Sequence, residues 1–121
     1  MKKQQQHIIQ ISREKQAVLR AIWEQIMHDP TKPYRIAVLS KNYQTDSSYL
    51  MRSFKQTYGT GIHALVREQR LLLAAKLLLN DCPTIKAVCY DCGYKNVKHF
   101  NIIFKKRFGV TPHSYQELHA T

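Results

Sequence analysis

Acidic side chains are scarce in this sequence. Eight Asp and Glu stand against nineteen Lys and Arg in 121 residues, a formal net charge of +11. The few carboxylates fall at helix starts or on exposed faces, so no paired acid/base site is visible. There is no Gly-rich phosphate loop and no GxSxG, and an enzyme is not expected. Four Gly and four Pro exclude collagen-like, linker-like and turn-rich all-β chains. Three Cys, an odd number, argue against a disulfide-stapled secreted protein. Long apolar runs are missing too. The longest, Leu71 to Leu79, is broken by Lys76 and is too short to cross a bilayer, so no membrane partner is expected. The basic N-terminus, Met1 to His7, leads into no apolar segment of the kind a signal peptide needs.

What is present is the composition of a folded domain, 44% hydrophobic and 22% charged. The expectation is a cytoplasmic helical domain whose charge calls for an anionic partner, with nucleic acid first among them. The excess is spread along the chain. Residues 1–33 carry net +3, residues 34–80 net +5 and residues 81–121 net +3; the tightest cluster is Lys105-Lys106-Arg107. This is not a basic tail on a neutral domain.

Apolar periodicity predicts seven helical segments and no strand. Ser12 caps a first helix to about His28, with Leu19, Ile22, Trp23, Ile26 and Met27 on one face. Asp29-Pro30-Thr31-Lys32-Pro33 ends it. A short helix spans Ile36 to about Lys41. Asp46 caps the next, which carries Leu50, Phe54 and Tyr58 inward and stops at Gly59 and Gly61. The longest runs from Ile62 to about Leu79. Thr84 caps Ile85 to Tyr90, Gly93 makes a tight turn, and Asn96 caps a helix to Phe108 with Phe100, Ile103 and Phe104 inward. After Gly109, Pro112 falls where a last piece, His113 to Leu118, begins.

Two parts of the chain repeat. At an offset of 50, Asp46 matches Asn96, Leu50 matches Phe100, Phe54 matches Phe104, Lys55 matches Lys105, Tyr58 matches Phe108 and Gly59 matches Gly109. Upstream of the turn the offset is 49, pairing Leu39 with Val88 and Ser40 with Cys89, so the second turn is one residue longer. Each unit is a short helix, a turn and a capped longer helix, with a small residue where two crossing helices approach. That is the helix-turn-helix layout, whose second helix enters a DNA major groove. The predicted fold is all-α, a seven-helix bipartite domain of homeodomain-like type. Its organisation reads as an N-terminal tail (1–11), a first helix-turn-helix subdomain (12–60), a bridging helix (61–80) and a second helix-turn-helix subdomain (81–121).

The chain resembles the DNA-binding domain of the AraC/XylS family of bacterial transcription regulators. Gly93-Tyr94, Phe100, Phe104 through Pro112 and Tyr115 look like the family's C-terminal signature. Arg70-Leu71, Ala74 and Leu77-Leu78 match on the bridging helix, and Tyr49-Leu50, Arg52 and Phe54-Lys55 in the first unit. The likeness covers about Ser12 to Leu118. It implies a monomer whose two recognition helices enter successive major grooves, ~34 Å apart, on one face of double-stranded DNA. It also implies activation through RNA polymerase, and in many members a separate N-terminal sensing or dimerising domain. The sequence departs from the family at Ser40, where alanine is usual, at Ile102, where a polar or basic residue is frequent, and at Gln116, where arginine is common.

With Leu50, Phe54 and Tyr58 inward, the first recognition helix turns Ser47, Ser48, Met51, Arg52 and Lys55 outward. Arg52 is the candidate for a bidentate contact to guanine; Ser47, Ser48 and Met51 read neighbouring bases. On the second, Val97, Lys98, His99, Asn101 and Ile102 are outward. Ile102 makes no hydrogen bond and favours a thymine methyl, which leaves the second helix the looser reader. Lys55, Lys105 and Lys106 are expected to grip phosphates, which fix register without carrying sequence information.

Cys89-x-x-Cys92, with Cys82 before it and His99 after, invites a zinc or redox reading, but one helical turn does not supply four ligands. No metal and no cofactor are expected. Leu72, Ala75 and Leu79 form a second stripe on the bridging helix. A broadly buried central helix is the favoured explanation, a docking surface the alternative. Two other functions compete with sequence-specific DNA binding: non-specific nucleic-acid binding, and a helical protein-interaction module.

Overall fold

Seven α-helices make up the regular structure of residues 8–81 and 83–120, which the computed structural model describes. They are α1 (Arg13–His28), α2 (Ile36–Asn42), α3 (Ser47–Tyr58), α4 (Ile62–Leu77), α5 (Ile85–Asp91), α6 (Val97–Phe108) and α7 (Pro112–Leu118). Residues 1–7 of the expected tail, Cys82 and the last residue of the second subdomain lie outside the described residues. Each expected cap is made. Ser12, Asp46, Thr84 and Asn96 accept hydrogen bonds from the backbone N–H of Lys15, Tyr49, Ala87 and His99, at 2.9–3.2 Å. Thr111 does the same for Ser114 at 3.2 Å, with Pro112 at the first position of α7. Such a cap is worth ~1 kcal/mol. Gly59 and Gly109 close α3 and α6 with matching left-handed conformations, φ +76° and +84°.

The bridging helix stops two residues earlier than the apolar pattern predicts. Its end tightens into bonds three residues apart, Leu79 N–H to Lys76 O at 3.2 Å and Asn80 N–H to Leu77 O at 3.1 Å. Gln116 Nε2, at the position where the family favours arginine, donates to Leu78 O (3.3 Å) and Pro83 O (3.1 Å). It thereby ties α7 to this helix end. The broad burial expected of α4 is also not seen. Ala75 is buried, but Leu72 is 41% and Leu79 52% exposed.

Two hydrophobic cores form, and α4 serves both. Leu19, Ile22 and Ile26 of α1, Leu39 of α2, Leu50 and Phe54 of α3 and Ile62, Leu65 and Val66 of α4 fill the first. The second holds Leu71, Ala74, Ala75 and Leu78, Val88, Cys89 and Cys92, and Phe100 and Phe104. Of the apolar face expected on α1, Trp23 sits at the edge of the first core and stacks on Tyr58, while Met27 is exposed.

The repeat is visible in the backbone. In the first unit Thr45 N–H bonds Ser40 O at 2.9 Å and Gln44 N–H bonds Lys41 O at 3.2 Å. In the second, Tyr94 N–H bonds Cys89 O and Gly93 N–H bonds Tyr90 O, both at 3.0 Å. Gln44 and Gly93 occupy the same left-handed position, φ +52° and +96°. Glycine reaches it without cost; glutamine does so under strain.

Among the described residues, Arg70 touches both units. Arg70 on α4 donates from Nε to Pro30 O (2.7 Å) and from Nη2 to Lys32 O (2.9 Å) in the loop before α2. Its guanidinium lies 5.1 Å from the ring centroid of Tyr94, in the turn before α6.

Candidate DNA interface

The outward face of each recognition helix follows from what the inward face buries. Leu50, Ser53 and Phe54 anchor α3. Ser48, Met51, Arg52 and Lys55 are exposed on its other side, Met51 at 44%. Phe100 and Phe104 anchor α6 in a run of tilted aromatics that continues through Phe108 and Tyr115. Lys98, His99, Ile102, Lys105 and Lys106 are exposed opposite, Ile102 at 59%, and Asn101 is half-buried. Among the described residues, Arg52, Lys55, Lys98, Lys105 and Lys106 enter no side-chain hydrogen bond, ion pair or cation–π contact. A charged side chain with no protein partner is available to an external anion. Lys106 stands on the rim of a cleft of ≈ 610 Å³ between α4 and α6, beside Thr60, Arg67 and Arg107.

Ser47 and Val97, the first residue of each recognition helix, point differently from the sequence expectation. Ser47 is half-buried and its Oγ lies 2.9 Å from Ser40 Oγ on α2; Val97 packs against the second core. A side chain in the first turn leans back over the preceding element, here the first helix of its own unit. Ser40 also donates to Ala37 O at 3.2 Å. The serine in the close-approach slot is therefore satisfied within its own unit, as is Ser53, whose Oγ donates to Tyr49 O at 2.6 Å. His99 stands edge-on to Tyr94, with centroids 6.4 Å apart.

Three contacts around these helices, like that of Gln116, were not legible in the sequence. Arg107, the third member of the basic cluster, is bound to Glu68 at 2.8 Å. Gln56, next to Lys55, both accepts from Ile9 N–H (2.8 Å) and donates to Ile9 O (2.9 Å), fastening the chain ahead of α1 to the first recognition helix. Arg70 joins the units as described. Arg70 and Arg107 had a prior signal in their places within family-like stretches; Gln56 had none.

Two of the cysteines, Cys89 and Cys92, are sequestered. Both are buried free thiols. Burial pushes the Cys92 thiol up to about 12, with Asp91 and Cys89 adding to it, and raises Cys89 as well. A metal ligand or nucleophile needs the thiolate, which this environment disfavours. Among the described residues no three His, Cys, Asp or Glu are grouped to hold a metal ion.

Residues 39–118 match the model of a helix-turn-helix domain family, AraC-type, and span both units. The chain belongs to the AraC-type helix-turn-helix family. It is 29% identical over 85 residues to the HTH-type transcriptional activator RhaR of Pectobacterium atrosepticum, covering 70% of this chain and 30% of that protein. It is 29% identical over 101 residues to the regulatory protein SoxS of Salmonella typhimurium, covering 84% of this chain and 94% of SoxS. Among solved structures, the C-terminal domain of AraT, a response regulator from Geobacillus stearothermophilus, aligns with a TM-score of 0.77 at 27% identity over 88% of each chain. The chain thus spans under a third of RhaR but almost the whole of SoxS. The AraC-type relatives are DNA-binding transcription regulators, activators among them, and no enzymatic family is indicated. No helix of the described residues is long and apolar enough to cross a membrane.

Proposed function

We propose that this AraC-type domain reads a two-part site in double-stranded DNA, with α3 in one major groove and α6 in the next on the same face. The observation that supports this is the pairing of the two units. Each has the same turn hydrogen bonds, and each carries a recognition helix whose outward face bears basic side chains without protein partners. Arg52 takes a guanine through its planar fork, and Ser48 and Met51 read beside it. Lys98, His99 and Asn101 supply polar contacts in the second groove, and Ile102 packs on a thymine methyl. Lys55, Lys105 and Lys106 grip phosphates. Ser47 and Val97 shape the approach of each helix from within.

In this reading the chain acts at promoters in the cytoplasm, on the nucleoid, as an activator that contacts RNA polymerase. In a longer protein an N-terminal sensing or dimerising domain governs it, as the size of RhaR allows.

Binding the 121-residue chain to random genomic fragments and sequencing the retained DNA tests this. The expected result is a motif of two blocks about one helical turn apart, 10–10.5 base pairs between centres. Retention driven by charge with no motif would support non-specific nucleic-acid binding instead. No retention at ~50–100 mM salt would support a protein-interaction module.

A further inference from the structure

We propose that Arg70 is a positioning residue that sets the interval between the two recognition helices, and with it the half-site spacing the chain accepts. This rests on the bipartite reading above. The buried side chains fall into two separate clusters, both of which draw on α4. A single helix is a poor spacer, because helices bend and a small rotation about α4 is magnified at the reading faces. The duplex is demanding in return. One inserted base pair moves the second half-site about 3.4 Å along the axis and about 35° around it. Something beyond α4 must hold the angle if the protein is to reject that change.

Arg70 is built into that position. Its guanidinium is held by two carbonyls of the loop ahead of α2, at 2.7 and 2.9 Å, and lies against Tyr94 in the turn ahead of α6. The fit is close: a Cβ on Gly93 would lie 2.7 Å from Thr31 O and 3.1 Å from Arg70 Nε and Cζ. The loop is itself fixed. Asp29 Oδ1 accepts from Thr31 N–H (3.0 Å) and Thr31 Oγ1 (2.6 Å), and the Tyr34 hydroxyl reaches the carbonyls of Gln25 and Asp29. The turn on the other side runs within three residues into Val97, the start of α6. The strut therefore connects a rigid part of the first unit to the segment that aims the second reader. Lysine cannot replace it, since a point ammonium does not span two carbonyls and stack at once.

The test is a binding competition between duplexes carrying the two recovered half-sites at the selected spacing and with one base pair added or removed. The wild-type chain is expected to lose about tenfold or more in affinity at either altered spacing, on the scale of one mismatched position. Arg70→Met and Arg70→Lys are expected to bind all three duplexes within about threefold of one another, with base preference inside each half-site unchanged. A merely structural role would lower all three together and leave the spacing profile intact, which would overturn the proposal. Circular-dichroism melting checks that both variants fold. If they do not, Gly93→Ala, which presses on the same contact from the other side, must shift the preferred spacing; an unshifted profile overturns the proposal. A wild-type chain that selects no two-block motif overturns the bipartite reading and the proposal with it. A two-block motif with an unchanged profile in Arg70→Met overturns the proposal alone.

Discussion

Arg107 on α6 and Glu68 on α4 face each other through two parallel hydrogen bonds, Nε to Oε1 and Nη2 to Oε2, both 2.8 Å. The fork geometry matches a carboxylate and fixes the rotation of α6 against the bridging helix. It also removes Arg107 from the basic cluster, leaving Lys105 and Lys106 without a side-chain partner among the described residues.

This pair gives stability a pH dependence. The hydrogen bond from Arg107 holds the Glu68 carboxyl below its usual value of 4.5, and the bonds from Thr31 hold Asp29 below 3.8. A lowered folded-state value means a contribution fully present above the unfolded value and lost as pH falls through the folded one. Melting temperature is therefore expected to be flat from pH 7 to about 5 and to fall below that range. Glu68→Gln removes part of the fall and costs little at pH 7, since an exposed pair is worth ~0–1 kcal/mol. An acid limb identical in Glu68→Gln and wild type, by thermal melts across pH, would exclude this role.

Phe104 is fully buried and packs against Phe100, Phe108 and Tyr115. Phe104→Ala is expected to cost ~3–5 kcal/mol. Because its core is separate from that of Leu50 and Phe54, near-ultraviolet and Trp23 fluorescence melts of this variant should diverge, with the first unit outlasting the second. Coincident transitions would show the units to be one cooperative block.

The equivalent turn positions predict opposite responses. Gln44→Gly relieves a strained left-handed glutamine and is expected to be neutral or stabilising by up to about 1 kcal/mol. Gly93→Ala adds both backbone strain and a contact with Thr31 O, and should destabilise. Urea melts of the two variants compare them directly.

On DNA, Arg52→Ala should lose preference at one base pair, about 1–3 kcal/mol of discrimination, with little change in non-specific affinity. Lys106→Ala should weaken all sequences alike and flatten the salt slope by about one unit. Replacing thymine by uracil in the second half-site, which removes only the methyl, should weaken wild type but not Ile102→Ala. Binding titrations at several salt concentrations read all three.

Most of the helices were legible in the sequence because local chemistry specifies them. Ser12, Asp46, Thr84 and Asn96 sit three residues ahead of the N–H groups they cap, and Phe54 and Phe104 recur at one offset. Whatever depends on contacts distant in sequence was not. Nothing near Leu79 announces that Gln116 will meet the end of α4, and nothing near Arg107 announces Glu68, thirty-nine residues away. Helical periodicity assigned Ser47 and Val97 to the outer faces because it takes no account of how first-turn side chains lean. The exposure of Ser48, Met51, Arg52, Lys98, His99 and Ile102 was legible, since it is what the buried positions leave over.

The separation of the cores bears on how such a protein changes over time. Phe54 and Phe104 lie in different buried clusters, and on the two-groove proposal a new side chain at position 52 or 102 alters one half-site without touching the other. On that proposal each reading head is free to drift toward a new word while its neighbour holds the old one, so a promoter and its regulator would diverge by halves rather than all at once.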